Sequence, residues 1–175
     1  SVFSVQKWPA VQMGPRDEKY RNRKNITYED ALAVRERVTA AKSVGAEIWN
    51  WGYEIRYKDR KTLPNVPIAG VTPEFLENNG MEIAEGRFIT TEDVEFNAPV
   101  TVLGADVVDK LFPLEDPIGK DIKLMGKRLE VVGVFAKKGS VFGQSQDNRL
   151  AIPFMQFIKL FGKERSVDIT VQAAT

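Results

Sequence analysis

Three pairs of adjacent acids are the residues best suited by type to do chemistry: Glu29-Asp30, Glu92-Asp93 and Glu115-Asp116. Paired carboxylates can hydrolyse glycosides as acid and base, but only across a cleft that holds them at a set separation. Each pair here stands at a helix start or a turn, where an acid accepts hydrogen bonds from free backbone N–H groups. Thr90 to Asp93 has the spacing of a capping box, with Asp in place of the commoner Glu. These acids are therefore expected to cap helices and turns, and no catalytic residue is assigned.

The Gly119-Lys120 pair raises the question of phosphate binding. A P-loop needs Gly, four residues, then Gly-Lys-Ser/Thr, so that backbone N–H groups wrap the phosphates. Here Asp121 follows Lys120 and Leu114 stands where the first Gly belongs. A carboxylate there repels phosphate, so Pro117-Ile118-Gly119 reads as a turn feeding a strand. Gly133, Gly139 and Gly143 match no dinucleotide fingerprint and read as backbone freedom in a loop. Asp147-Asn148 could offer oxygens to a cation, yet calcium takes six to eight from an ordered loop whose pattern is missing, which leaves a turn. No cofactor and no metal is expected.

Composition narrows the chemistry further. The 175 residues include no Cys and no His, which excludes thiolate catalysis, disulfides, Cys/His zinc sites and Ser-His-Asp triads. A formal net charge of +1 supplies no field for gathering nucleic acid. With 43% hydrophobic residues the chain can bury a core, and no apolar run reaches the length of a membrane span. The start, "SVFSVQKW", alternates like a strand and lacks the features of a signal peptide, and the end also stops in a strand. The chain is expected to be an excised piece of a longer polypeptide.

An aromatic stripe is the remaining candidate. In "AEIWNWGYEIRYK", Trp49, Trp51, Tyr53, Ile55 and Tyr57 occupy every second position, so one strand would place all five on one face. Such a face is either a stacking platform for a ligand or the cover of a helix.

The elements that must position these residues follow from periodicity and punctuation. Residues 9–25 form a polar connection. A helix is expected over about 28–43, with Thr27 as its cap, Glu29 and Asp30 in its first turn and Gly45 at its end. The aromatic strand, a charged turn over 59–65 and the strand "NVPIAGV" come next. The helix "TPEFLENNG" takes Thr72 as cap, Pro73 at its first position and Gly80 as its stop. Strand "APVTVLG", helix "ADVVDKLFP" and a hairpin turning at Met125-Gly126 follow, the hairpin setting Ile122 opposite Leu129. Strand "RLAIP", helix "FMQFIKLFG" and strand "SVDITVQA" close the chain. The fold class is α+β.

The order of these devices resembles a known family. "TPEFL" over 72–76, Gly86-Arg87-Phe88 followed by Glu92 and Asp93, "VLG" over 102–104, and Leu111-Phe112 come first. Asp116 to Lys120, "VVGV" over 131–134, Phe142-Gly143, Asp147-Asn148 and Ile152-Pro153 follow. This ordered set resembles the MacB-like periplasmic core domain of FtsX-type ABC transporter permeases; residues 1–65 resemble it only loosely. The resemblance implies a porter-like subdomain split between 1–65 and 149–175, with a strand-rich subdomain over 66–148 inserted in it. It implies a non-catalytic extracytoplasmic domain, anchored at the cell membrane, that transmits ATP-driven motion for export, lipoprotein handling or signalling. Its implied partners are a cytosolic ABC ATPase, a second permease copy and a periplasmic adaptor or cargo protein. The competing expectation is a stand-alone extracytoplasmic binding module using the face around Trp49 and Trp51.

Overall fold

The computed structural model describes residues 1–9 and 18–174. Residues 10–17 of the polar connection expected over 9–25 lie outside the described residues, and its later part includes a one-turn helix, α1 (Glu18–Arg21).

Among the described residues, one mixed sheet of eleven strands carries the fold. In chain order these are β1 (Val2–Val5), β2 (Ala41–Tyr53), β3 (Ile55–Tyr57), β4 (Arg60–Lys61), β5 (Val66–Val71) and β6 (Ile83–Gly86). Then come β7 (Val100–Leu103), β8 (Asp121–Leu124), β9 (Lys127–Phe135), β12 (Leu150–Pro153) and β13 (Asp168–Ala173). A separate small hairpin, β10 (Ser140–Val141) and β11 (Gln144–Ser145), forms the loop before β12. The helices are α2 (Tyr28–Arg37), α3 (Phe75–Asn78), α4 (Thr91–Glu95), α5 (Ala105–Leu111) and α6 (Phe154–Phe161). Across the sheet the strands run β1-β13-β2-β5-β12-β7-β9-β8-β3-β4, with β6 alongside β9. Strands β5 and β12 pair in parallel, as do β7 and β9; the other pairings are antiparallel.

Successive residues of a strand face opposite sides, and β2 shows what each side packs against. Ile48 lies opposite Gly70 of β5, where an added Cβ would stand 2.4 Å from Cβ of Phe157 on α6. Glycine is required there because the helix sits directly on the strand. On the other side, a Cβ at Gly45 would meet Thr170 Oγ1 at 2.9 Å and Glu74 Cβ at 3.0 Å, next to α3. The two faces thus carry different helices, and the core runs through both. Phe75, Phe154 and Phe157 are among its largest fully buried side chains.

Local signals were realised where the sequence carried them whole. Thr27 caps α2 in a reciprocal box, its Oγ1 accepting from Asp30 N at 3.2 Å while Asp30 Oδ2 accepts from Thr27 N at 2.8 Å. The hairpin turns at Met125 (φ 52) and Gly126 (φ 75), the paired positive φ angles of a type I′ turn, and Ile122 does oppose Leu129.

Two expectations are corrected. The helix predicted over 28–43 ends at Arg37, and Ala41 already belongs to β2. Gly45 is therefore a mid-strand residue, not a helix stop. Backbone pairing of Ala41 to Glu47 with β13 outweighs the local helical spacing of Val38 and Ala41. Thr72 does not cap α3, whose N-cap is Glu74. Its hydroxyl accepts instead from Ala46 N at 3.0 Å, tying the end of β5 to β2.

Candidate functional site

The acids singled out by adjacency are held by backbone and by neighbouring cations. Asp93 Oδ2 accepts from Thr90 N at 2.9 Å and from Arg87 Nη1 at 2.7 Å, with Arg87 Nη2 at 3.4 Å from Oδ1. Burial disfavours the Asp93 carboxylate, but the Arg87 and Thr90 hydrogen bonds and the Arg87 charge outweigh it and hold the group below its ordinary range. Glu92 is exposed beside it. Glu115 accepts from the Tyr57 hydroxyl at 3.0 Å, and Asp116 Oδ1 accepts from Ile118 N at 3.0 Å. Lys120 Nζ donates to Asp116 O at 3.2 Å, and Gly119 has φ 82, as the turn requires. Asp147 closes the neck of the β10–β11 hairpin by accepting from Lys138 N at 2.8 Å and Gly139 N at 3.0 Å. Asn148 Nδ2 reaches Asn65 O at 3.4 Å. These groups lie on different elements and do not converge.

The aromatic stripe is divided rather than continuous. Gly52 has φ 87, and the pairing with β5 shifts register between Asn50 and Tyr53, so residues beyond it change face. Ile55 and Tyr57 are buried, and Tyr57 packs on Phe112 with ring centroids 4.3 Å apart. Tyr53 packs on Phe161 of α6 at 5.0 Å. Trp49 packs on Phe75 of α3 at 6.1 Å, so the helix it covers is α3. Trp49 and Trp51 remain together, stacked at 6.3 Å, and Trp51 is 62% exposed.

These two rings open onto a cavity of about 530 Å³ that Trp8, Lys7, Arg165 and Asp168 also line. Lys7 Nζ donates to Asn25 Oδ1 at 2.8 Å and lies 5.4 Å from the centre of the Trp8 ring. Arg165 Nη1 donates to Trp49 O at 3.4 Å. Beneath the rings lie two acids that adjacency did not reveal. Glu47 of β2 stands directly opposite Asp168 of β13. Glu47 Oε2 accepts from the Trp49 indole at 2.9 Å and Oε1 accepts from Asn79 Nδ2 at 3.0 Å. Burial pushes the Glu47 carboxyl up, against the Asn79 and Trp49 hydrogen bonds and the Arg149 charge. Burial and then the Glu47 charge push Asp168 up to about 6. Arg149 sits 5.9 Å from the Trp49 ring, and its own charge is opposed by burial.

Here the molecule offers an aromatic stacking surface, one half-buried acid whose carboxyl is pushed up to about 6, and cations at the rim. That is a binding geometry. Ser166, a hydroxyl in its wall, accepts from Ile26 N at 3.0 Å. A faint signal was present in the sequence: Glu47 interrupts the apolar run of β2, and Asp168 opens β13 between the apolar Val167 and Ile169. Their meeting depends on a strand register that no local pattern encodes.

The family model of the MacB-like periplasmic core domain matches residues 1–175. A macrolide export ATP-binding/permease protein MacB of Bdellovibrio bacteriovorus is 30% identical over 152 residues, covering 85% of this chain and 23% of that protein. A protein of the same description in Syntrophobacter fumaroxidans is 40% identical over 130 residues, 74% of this chain and 18% of that protein. The chain thus spans about a fifth of the length of these relatives. The periplasmic region of MacB from Actinobacillus actinomycetemcomitans superposes with a TM-score of 0.76 at 22% identity, covering 92% of this chain and 71% of that one. The extracellular domain of the ABC-type transporter YknZ from Gram-positive bacteria gives 0.73 at 23%, covering 92% and 80%. Those two likenesses establish the fold. With the whole chain matched by the family model, the chain belongs to the MacB-like periplasmic core domain family.

Proposed function

We propose that this chain is the extracytoplasmic domain of an ABC transporter permease and that it works by transmitting motion, not by catalysis. The observation that carries this reading is the placement of β1 and β13, antiparallel neighbours at one edge of a sheet that continues without a break to β4. A displacement applied at that edge passes through hydrogen-bonded strands to the far end, and fixed strand pairing resists shear between them. In this reading the chain sits on the periplasmic or extracytoplasmic side of the cell membrane. A cytosolic ABC ATPase supplies the motion, a second permease copy completes a dimer, and an adaptor or cargo protein receives the movement. The role served is export, lipoprotein handling or signalling. The division into a split porter-like part, 1–65 with 149–175, and an inserted part, 66–148, belongs to the same reading. Among the described residues no helix is long and apolar enough to cross a membrane, so the anchoring segments of this reading are not among them.

The test uses the full-length protein with its ATPase. These 175 residues lack Cys, so once any cysteines elsewhere in the full-length protein are replaced, a single Cys at exposed Lys163 can carry a spin label in each copy. Nucleotide is expected to change the distance between the two labels. An unchanged distance across the nucleotide-free and ATP-bound states contradicts transmission.

The cavity beside Trp49 and Trp51 favours a second reading, a binding module that takes its ligand on that aromatic face. A platform of that kind gives strong iodide quenching of Trp51 that a bound ligand suppresses.

A further inference from the structure

On β4, β3, β8 and β9, one row of the sheet carries charges of a single sign. Lys61 of β4 stands opposite Arg56 of β3, Arg56 opposite Lys123 of β8, and Lys123 opposite Arg128 of β9. All four are exposed. With neighbouring strands about 4.8 Å apart, the row spans about 14 Å. Like charges directly opposite each other destabilise a sheet, and here three such contacts follow in succession.

The neighbouring acids answer the row unevenly. Glu54 pairs with Arg56 at 2.5 Å and lies 4.0 Å from Lys61 at one end; Asp121 lies 4.0 Å from Arg128 at the other. Lys123, near the middle, has no ion pair among the described residues. Protection of a sheet edge by lysine accounts for Lys61 on the terminal strand β4, but β8 and β9 lie inside the sheet. The charge is local, since the whole chain carries only +1. Beside the row is a concavity of about 630 Å³ that Lys58 and Lys120 also line; the one acid in its wall, Asp121, lies 4.0 Å from Arg128 and is outnumbered there by five cations. That volume falls in the range of small-molecule sites.

We propose that this row and its concavity bind a small ligand carrying two or more phosphate groups. Closely spaced anions would relieve the repulsion that the empty row sustains. The two guanidinium forks suit paired phosphate oxygens, and the lysines supply point charges between them. A single phosphate reaches too little of a 14 Å row to gain the same benefit. A surface built this way trades some stability of the free protein for affinity. The inference does not depend on the permease reading.

The experiment titrates the 175-residue chain with tripolyphosphate, with orthophosphate for comparison, and in a second arm with phosphatidylcholine vesicles containing cardiolipin. Saturable binding of either multiphosphate probe is expected: of tripolyphosphate for a soluble ligand, of the vesicles for a lipid headgroup. Orthophosphate is expected to bind at least tenfold more weakly than tripolyphosphate. Lys123→Glu and Arg128→Gln should each weaken binding at least tenfold, whereas Lys163→Glu, outside the row, should leave it unchanged. Lys123→Glu should also raise the melting temperature of the free chain at low salt, a change that mere loss of structure does not give. Three results would overturn the proposal: no saturation by either probe, equal loss with Lys163→Glu, or a lowered melting temperature in Lys123→Glu.

Discussion

Two acidic regions of this domain contain similar groups in opposite circumstances. At the start of α4, Asp93 meets two N–H groups of Arg87 and one of Thr90, and its carboxyl is held below the ordinary range. Under the Trp49 and Trp51 rings, Glu47 and Asp168 face each other across two strands, and both carboxyls are pushed up. Burial acts in the same direction at both places, and the balance differs. At Asp93 the Arg87 and Thr90 hydrogen bonds and the Arg87 charge outweigh it; at Glu47 it outweighs the Asn79 and Trp49 hydrogen bonds and the Arg149 charge, and at Asp168 the Glu47 charge adds to it. Adjacent acids in this chain are thus scaffolding, and the acids with unusual chemistry come from distant strands.

The largest expected effect is at α4. Asp93→Ala removes the reciprocal cap and strands the Arg87 guanidinium, and should cost about 2 kcal/mol. On a domain of this size that lowers the melting temperature by about 6 °C, measurable by calorimetry. Because its folded pKa is depressed, the contribution of Asp93 is present above the ordinary carboxylate range and lost as pH falls through the folded value. A variant as stable as the parent at pH 7 would erase the contrast between the regions.

Asp168→Asn should act in the opposite direction. A carboxyl raised to about 6 stabilises the fold while protonated, and that contribution is lost as pH rises through that value. The variant should therefore be more stable than the parent at pH 8, by about 1 kcal/mol after allowance for partial exposure, and should show no gain at pH 4. Urea midpoints at the two pH values check this.

Glu47→Gln sharpens the comparison with a smaller effect. Removing the Glu47 charge should move the Asp168 titration down, as followed by carboxyl NMR, while leaving Asp93 unaltered. The smallest effect concerns the rings. Trp51→Phe should reduce iodide quenching more than Trp49→Phe, since Trp51 is 62% exposed and Trp49 packs on Phe75.

How much of this was legible follows the reach of each signal. The Thr90–Asp93 box, the Met125-Gly126 turn and, apart from β6 and the β10–β11 hairpin, the order of strands and helices from 66 onward are encoded within a few residues, and they appear as read. The overrun of the expected helix into 38–43 has the opposite origin: Val38 and Ala41 keep helical spacing, but pairing of β2 with β13 from Ala41 onward decides the state. The aromatic alternation was legible, but not the register shift past Asn50 that splits it. Glu47 with Asp168, and the row from Lys61 to Arg128, exist only once strands from remote parts of the chain are aligned. Alternation within a strand gives its faces and says nothing of what stands opposite.

The central claim, a membrane-anchored domain that transmits motion, is tested most directly by reading the encoding frame on both sides of residues 1 and 175. The resemblance to FtsX-type permeases implies one apolar span of about 20 residues before β1 and three after β13, and the account predicts them. A frame that stops close to both ends, with no such span, would contradict it.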